Sequence, residues 1–318
     1  MKTIRPLRSC RLRLQTRFFL AAPMILLLLA TQDIAVGQSA TGNFSAGSND
    51  LDTADLNLPR RNTIYVTDYR VDAIEIFSLR GSHVGGFDMP VKPTGLVFDN
   101  AGNLYVASDD PAGNSIQKFA PDGTVSVFAD SGLSNPSALA FDSAGNLYVA
   151  NPANNTIEKF TPDGIGTEFA NEVDGLLQPV GLAFDMAGNL YVSNAIGGPM
   201  GIGSIEKFTP DGVGSVFADT GLRTPFGLAF DSAGNLYVSN NRSNTIEKFS
   251  PTGQDLGVFA STGLHGPLGM MFDRTGNLYV ANVDNATIEK FSPTGQDLGV
   301  FAHTGGGPHF LAMFRPSQ

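Results

Sequence analysis

Tryptophan is absent from the 318 residues, and cysteine occurs once, at Cys10. A single thiol forms no internal disulfide and no thiolate metal site, so the chain must be held together by its core. The missing tryptophan removes the broadest aromatic face available for stacking on a carbohydrate and leaves that task to tyrosine and phenylalanine. Positive charge is scarce as well. Lys and Arg number 20 against 30 Asp and Glu, a formal net charge of -10. Such a surface repels phosphate backbones and anionic lipid, which argues against nucleic acid and membrane surfaces as partners. No apolar run reaches the roughly 20 residues of a membrane-spanning helix. No segment carries a convincing 3.6-residue period. No glycine-rich stretch continues into GKS or GKT, so no phosphate loop is present.

The longest apolar run, FFLAAPMILLLLA from Phe18 to Ala30, follows a stretch with Lys2, Arg5, Arg8, Arg11, Arg13 and Arg17 and no acid. A basic start, a short apolar centre and small residues beyond it describe a secretory signal peptide. Ala35-Val36-Gly37 places cleavage before Gln38, so residues 1–37 are expected to be removed and the chain to be secreted or periplasmic. Cys10 precedes the apolar run, which is the wrong place for a lipid-modified cysteine. Residues 38–60, rich in Ser, Gly, Asn and Asp and poor in apolar side chains, read as a disordered spacer.

What is abundant is repetition. FSPTGQDLGVFA runs from Phe249 to Ala260 and returns unchanged from Phe291 to Ala302. The signal Leu-Tyr-Val, or Ile-Tyr-Val in its first copy, centres on Tyr65, Tyr105, Tyr148, Tyr191, Tyr237 and Tyr279, at spacings of 40 to 46 residues. Each copy holds four strand-length segments. In the fifth these are PFGLAFD, LYVSN, TIEKF and QDLGVFA, separated by SAGN, NRSN and SPTG. Asp231 can accept backbone N–H bonds in the first turn, and Gly234 can take the positive φ that a tight hairpin demands. Pro and Gly of PTG and PDG set the other turn. Four strands per repeat, six times over, predict an all-β, six-bladed β-propeller of four-stranded antiparallel blades across residues 61–318. The innermost strands should read as continuous apolar runs, as GLVF, ALAF, GLAF and GMMF do. No such strand precedes Tyr65, but PHFLAMF (Pro308–Phe314) stands alone at the end. The C-terminal strand is therefore expected to complete the first blade and close the ring.

The pattern P-x-G-L-A-F-D-x-x-G-N-L-Y-V-A-N-x-x-x-N-x-I-x-K-F resembles the NHL repeat, including the repeats of bacterial secreted proteins, over essentially all of residues 61–318. The resemblance implies the propeller. It implies no single function, because one scaffold carries many: gluconolactonase- and regucalcin-like hydrolases, lyases and non-catalytic binding modules share it. In the hydrolases, metal-binding Asn and Asp come from the position after the innermost-strand proline. Here that position holds Thr94, Ser137, Val180, Phe226, Leu268 and His309, with no carboxylate and no Asn, so that metal site is not supported. The chain also has Asn151, Asn194, Asn240 and Asn282 where the family often has Asp.

A residue present in every blade serves the scaffold, because every blade solves the same folding problem. By that rule the Glu-Lys pairs of IEKF are scaffold or solvated strand face, and the repeated Asn after the second strand bonds within the following loop. A site belongs where the repeat breaks. The breaks gather on the face that carries the starts of the innermost strands, termed the top. Candidate ligand-binding residues there are Tyr69, Arg70, Asp110, Phe226, Arg242 and Asp284, together with the glycine-rich insert Ala195–Gly203. His309, Asp68 and Asp109 are the catalytic candidates. His265, His303 and His309 are the metal candidates, although no His-x-His or His-x-x-x-His spacing supports them and the plainer reading is solvated loop histidines. His83 falls on an outer strand, away from the channel.

Two functional readings follow. The first is a monomeric, exported, non-catalytic propeller that binds a protein or small molecule on its top face and needs no cofactor. The second is a lactonase-like hydrolase or lyase with a metal-assisted site at the channel mouth, for which a divalent metal would be required.

Overall fold

A computed structural model describes residues 62–110, 113–196 and 203–314. The expected signal peptide, the whole of the spacer and the centre of the glycine-rich insert lie outside them. The described residues form six four-stranded antiparallel sheets and almost no helix, the six-bladed propeller read from the repeat. In the second blade the strands run Lys92–Phe98, Leu104–Asp109, Ser115–Phe119 and Val125–Ala129, from the inside outward. The third to sixth blades repeat this order, their innermost strands being Leu139–Phe141, Pro179–Phe184, Pro225–Phe230 and Pro267–Phe272. The first blade is composite. Thr63–Asp68, Ala73–Ser78 and His83–Asp88 come from the start of the propeller, and Pro308–Met313 supplies the inner strand from its end. Ile64 pairs with Met313, Tyr65 with Ala312 and Val66 with Leu311. Pro308–Met313 also touches the innermost strands of the second and sixth blades, which completes the circle.

Neighbouring blades are joined by an aromatic unit that recurs around the ring. Tyr191 of the fourth blade meets Phe217 of its own outer strand and Phe230 of the next blade, both edge-on at 4.9 Å. Tyr105, Tyr148 and Tyr237 repeat the arrangement. Such pairs are worth about 0.5–1.5 kcal/mol beyond the area they bury. The tyrosine hydroxyls reach back to the turn aspartates, as Tyr237 does to Asp231 at 3.2 Å. Asp231 in turn accepts the N–H groups of Ala233 and Asn235, and Gly234 sits at φ 81°. Nearer the axis, hydroxyls donate across the seams. Thr94 bonds the Pro136 carbonyl at 2.7 Å, Ser137 that of Val180 at 2.9 Å and Ser239 that of Leu268 at 2.6 Å.

The IEKF motif divides its two charges. Each lysine lies over a tyrosine ring, as Lys248 does over Tyr237 at 4.9 Å, and Lys248 also pairs with Asp231 at 3.7 Å. The glutamates are scaffold, but most are not solvated: Glu206, Glu247 and Glu289 are 4%, 5% and 3% exposed. They lie against the glycines of the loops that enter each blade, Gly175, Gly221 and Gly263, where a Cβ would crowd the carboxyl. Burial, reinforced by Asp255 and Asp297 respectively, pushes Glu247 and Glu289 up to about 7. The repeated asparagine is likewise more than a local turn residue. Asn240 accepts the Arg223 N–H at 2.9 Å and donates to the Gly221 carbonyl at 2.8 Å, so it chiefly holds the loop entering the blade. Asn151, Asn194 and Asn282 do the same. The following loop receives only the weaker bond from Asn240 to Thr245, at 3.3 Å.

These contacts predict three outcomes. Deleting residues 308–318 should abolish cooperative thermal unfolding, because the loss of several buried side chains at ~1.5–3 kcal/mol each exceeds the stability of most domains. A truncated chain melting near the intact one would contradict ring closure. Asn240→Ala should cost about 1 kcal/mol in urea denaturation, since it removes two hydrogen bonds that hold the part-buried N–H of Arg223 and carbonyl of Gly221. The third concerns pH. A carboxyl raised from 4.5 to about 7 on folding stabilises fully below 4.5 and loses that contribution as pH rises through about 7. Glu247→Gln, locked in the neutral form, should therefore gain stability relative to the unmodified protein between pH 5 and pH 8. An advantage equal at both values would mean that Glu247 titrates normally.

Candidate functional site

Register places the start of each innermost strand beside the end of the second, as in the Pro225–Asn240 and Pro267–Asn282 pairs. The residues after the proline and those after the second strand therefore share the top face. At the seam between the first and second blades, five of the residues nominated from the sequence come together: Asp68, Tyr69, Arg70, Asp109 and His309.

Asp68 is fully buried and occupies the register position that Asn240 holds in the fifth blade. An asparagine there accepts one N–H and donates one. Asp68 only accepts, taking Gly306 and Gly307 at 2.7 Å each and Arg70 at 3.2 Å. Glu75 takes the Gly305 N–H at 3.2 Å, so two carboxylates hold the triglycine loop that leads into the closing strand. A side chain at Gly306 would collide with Arg70 and Asp68, and one at Gly307 would press tightly on the Arg70 side chain. Burial raises the Glu75 carboxyl above its ordinary range; the Gly305 bond opposes this and Asp68 adds to it. Asp68 thus closes the ring, and its oxygens are engaged by backbone rather than turned to a substrate.

His309 stacks on Tyr69, with ring centroids 4.7 Å apart and planes 1° from parallel. Burial pushes its imidazole down to about 4; Asp68 opposes the shift and Arg70 assists it. It is therefore a packed, neutral ring at pH 7 and not the solvated loop histidine expected. The Tyr69 hydroxyl donates to Asp109 at 3.4 Å, and the Lys92 ammonium lies 4.8 Å from the Tyr69 ring centre. Lys92 was not among the sequence candidates. Its signal was available: it precedes Pro93 where other blades have Asn135, Gln178, Thr224, Gly266 and Gly307. The second blade also breaks the repeat internally, with Ser108 in the asparagine position and its buried hydroxyl without a hydrogen-bond partner.

The remaining candidates do not join this cluster. Phe226 packs on Phe310 at 5.5 Å, inside the channel. Arg242 and Asp284 are exposed in the loops of the fifth and sixth blades, and Asp110 follows Asp109 at intermediate burial. Of the insert, Ala195 is buried and its N–H bonds the Gln178 carbonyl at 3.0 Å. The three metal candidates are not assembled. His265 holds its loop through its backbone N–H to Asn282 at 3.1 Å, and His303 ends an outermost strand, exposed. Among the described residues, no three His, Cys, Asp or Glu side chains gather in metal-ligand geometry. None of the described helices is long and apolar enough to cross a membrane.

No protein-family model and no curated protein matches the chain. Solved structures do. A chain of a nidogen–laminin complex is 20% identical with TM-score 0.68, covering 79% of this chain and 97% of its own. A gluconolactonase of Xanthomonas campestris is 22% identical with TM-score 0.60, covering 80% and 89%. The virginiamycin B lyase of Staphylococcus aureus is 19% identical with TM-score 0.53, covering 64% and 68%. At these identities the likeness establishes the propeller fold and nothing finer.

The site geometry predicts a spectroscopic result. In NMR titration the His309 ring should stay neutral from pH 8 down to pH 5, because its pKa lies at about 4. A midpoint near 6.5, the value of a solvated imidazole, would show that the stack on Tyr69 does not form.

Proposed function

We propose that the chain is an exported, NHL-type, non-catalytic binding propeller, monomeric and without a cofactor, that recognises a protein partner through its top face. Its recognition centre is the seam between the first and second blades. The observation that carries this reading is the cluster of Tyr69, His309, Lys92 and Asp109. It presents a braced aromatic, a cation and an anion at the one seam where the repeat is least regular. Interfaces favour such a grouping, since a rigid aromatic anchors contact and the charges around it select the partner. The similar fold found in a nidogen–laminin complex is consistent with a protein partner.

A photo-crosslinking side chain tests this in an extract of the source cells. Placed at position 70 or 92, it should capture one discrete heavier adduct. Placed at position 186, fully exposed in a turn on the opposite face, it should capture none. Equal adducts from position 186, or none from the top, would reject the top-face reading.

One observation favours a second reading, the metal-assisted lactonase-like hydrolase or lyase. A histidine neutral at pH 7 beside the channel mouth can accept a proton, and its pKa of about 4 makes it a weak base. Against it, the nearest buried carboxylate, Asp68, is committed to three backbone N–H groups. Assays on γ- and δ-lactones, with and without added divalent metal, should show no turnover. Turnover that disappears in His309→Ala would put the enzyme reading first.

A further inference from the structure

The outermost strands of the fifth and sixth blades, Asp255–Ala260 and Asp297–His303, are built differently from those of the second, third and fourth. Phe259 follows Phe249 by 10 positions and Phe301 follows Phe291 by 10, against 9 from Phe119 to Phe128, Phe160 to Phe169 and Phe208 to Phe217. The extra residue adds a second irregularity to the pairing with the third strand, between Glu247 and Phe249 and between Glu289 and Phe291. Gly257 and Gly299 supply the positive φ, 89° and 88°. A bulge re-aims a side chain. Here it sets an aspartate against the buried glutamate of each blade: Glu247 meets Asp255 in hydrogen-bond contact, and Glu289 meets Asp297. One oxygen of each aspartate accepts the N–H of the bulge glycine at 2.7 Å. The other reaches the loop entering the blade: a Cβ at Gly221 would lie 2.7 Å from Asp255 Oδ2 and 3.3 Å from the Glu247 carboxyl carbon. The second, third and fourth blades hold no such buried pair. Gln117 replaces the glutamate in the second, Glu206 of the fourth takes the Ser204 hydroxyl at 3.1 Å, and Glu158 of the third faces an exposed Glu168 that takes the Asn171 amide.

Two buried carboxyls in contact do not both ionise readily, so each pair keeps one proton until the pH approaches about 7. Among the described residues no cation acts on either pair. Lys248 and Lys290 lie on the other face of the strand, over Tyr237 and Tyr279. Arg223 and His265 of the entering loops and His303 of the sixth outer strand are exposed, and Asp219 acts on Glu206 of its own blade. The loops above the pairs carry the top surface with them. Asn241 and Arg242 donate their N–H groups to the Thr224 and Arg223 carbonyls at 3.1 and 3.3 Å, and Val283 and Asp284 donate theirs to Gly266 and His265, both at 3.2 Å.

We propose that the two carboxyl pairs form a proton switch within the scaffold. With one shared proton each, they hold the loops entering the fifth and sixth blades in place; when that proton passes to water, two adjacent anions loosen those loops and the top surface bonded to them. The switch does not depend on what the top face binds.

Amide hydrogen exchange on the purified full chain, corrected for the intrinsic pH dependence of exchange, tests this at pH 6 and pH 8. The reporters are the Arg223 and His265 N–H groups, which bond Asn240 and Asn282 at 2.9 and 3.1 Å. The control is the Met89 N–H, bonded to the Asp72 carbonyl in the loop entering the second blade, where Gln117 cannot titrate. Protection of Arg223 and His265 should fall at least tenfold from pH 6 to pH 8, and that of Met89 should not change. In Asp255→Asn the fall at Arg223 should shrink at least threefold while His265 still responds; Asp297→Asn should do the converse, so each variant carries its own control. Should a variant fail to fold, the contrast with Met89 in the unmodified protein decides. The same change at all three amides, no change at Arg223 and His265, or an undiminished fall at Arg223 in Asp255→Asn would each overturn the proposal.

Discussion

Everything in this structure depends on one strand pairing, that of Pro308–Met313 with Thr63–Asp68. A propeller blade has no private core. Its faces are buried only by the blades on either side, so an open ring leaves two blades half-covered. The pairing supplies the missing inner strand and joins the second and sixth blades to the first. The seam it creates is the one place where the two ends of the propeller domain meet. The repeat is irregular there, with Asp68 and Ser108 in place of the asparagine of the other blades.

Most of the fold was legible because each blade states the same solution in local terms. The Asp-x-x-Gly-Asn turns, the Leu-Tyr-Val strands and the Pro-x-Gly turns are set by contacts within a few residues, and period and composition report those directly. The roles of Glu247 and Asn240 were less legible. Both act on a loop about 20 residues earlier in the chain, and nothing in the local pattern of Thr-Ile-Glu-Lys-Phe distinguishes a glutamate under a loop from one in water. The divided fate of Glu and Lys in that motif follows from alternation: the lysine falls on the face that carries tyrosine, and the glutamate on the face covered by the incoming loop.

The candidate site shows the same division. Searching where the repeat breaks nominated Asp68, Tyr69, Arg70, Asp109 and His309, and these share one seam. It could not separate a break made by closure from a break made for a ligand. Asp68 belongs to the first kind: an asparagine in its place would have an amide to satisfy, whereas the triglycine loop offers it two N–H groups. His309 appeared solvated because its burial comes from Tyr69, some 240 positions away. Lys92 was visible only by comparing equivalent positions across blades, since the residue type is not unusual by itself.

The triglycine loop has a consequence for the timing of assembly. Asp68 and Tyr69 are among the first propeller residues to be made, and Gly306 to His309 among the last. An emerging chain therefore carries half of the top-face cluster throughout its synthesis without being able to form it. Only a chain finished to its last strand displays the complete surface, so possession of that surface certifies an intact ring. A partner that recognises the cluster would ignore chains that lack the last strand or have not yet closed the ring.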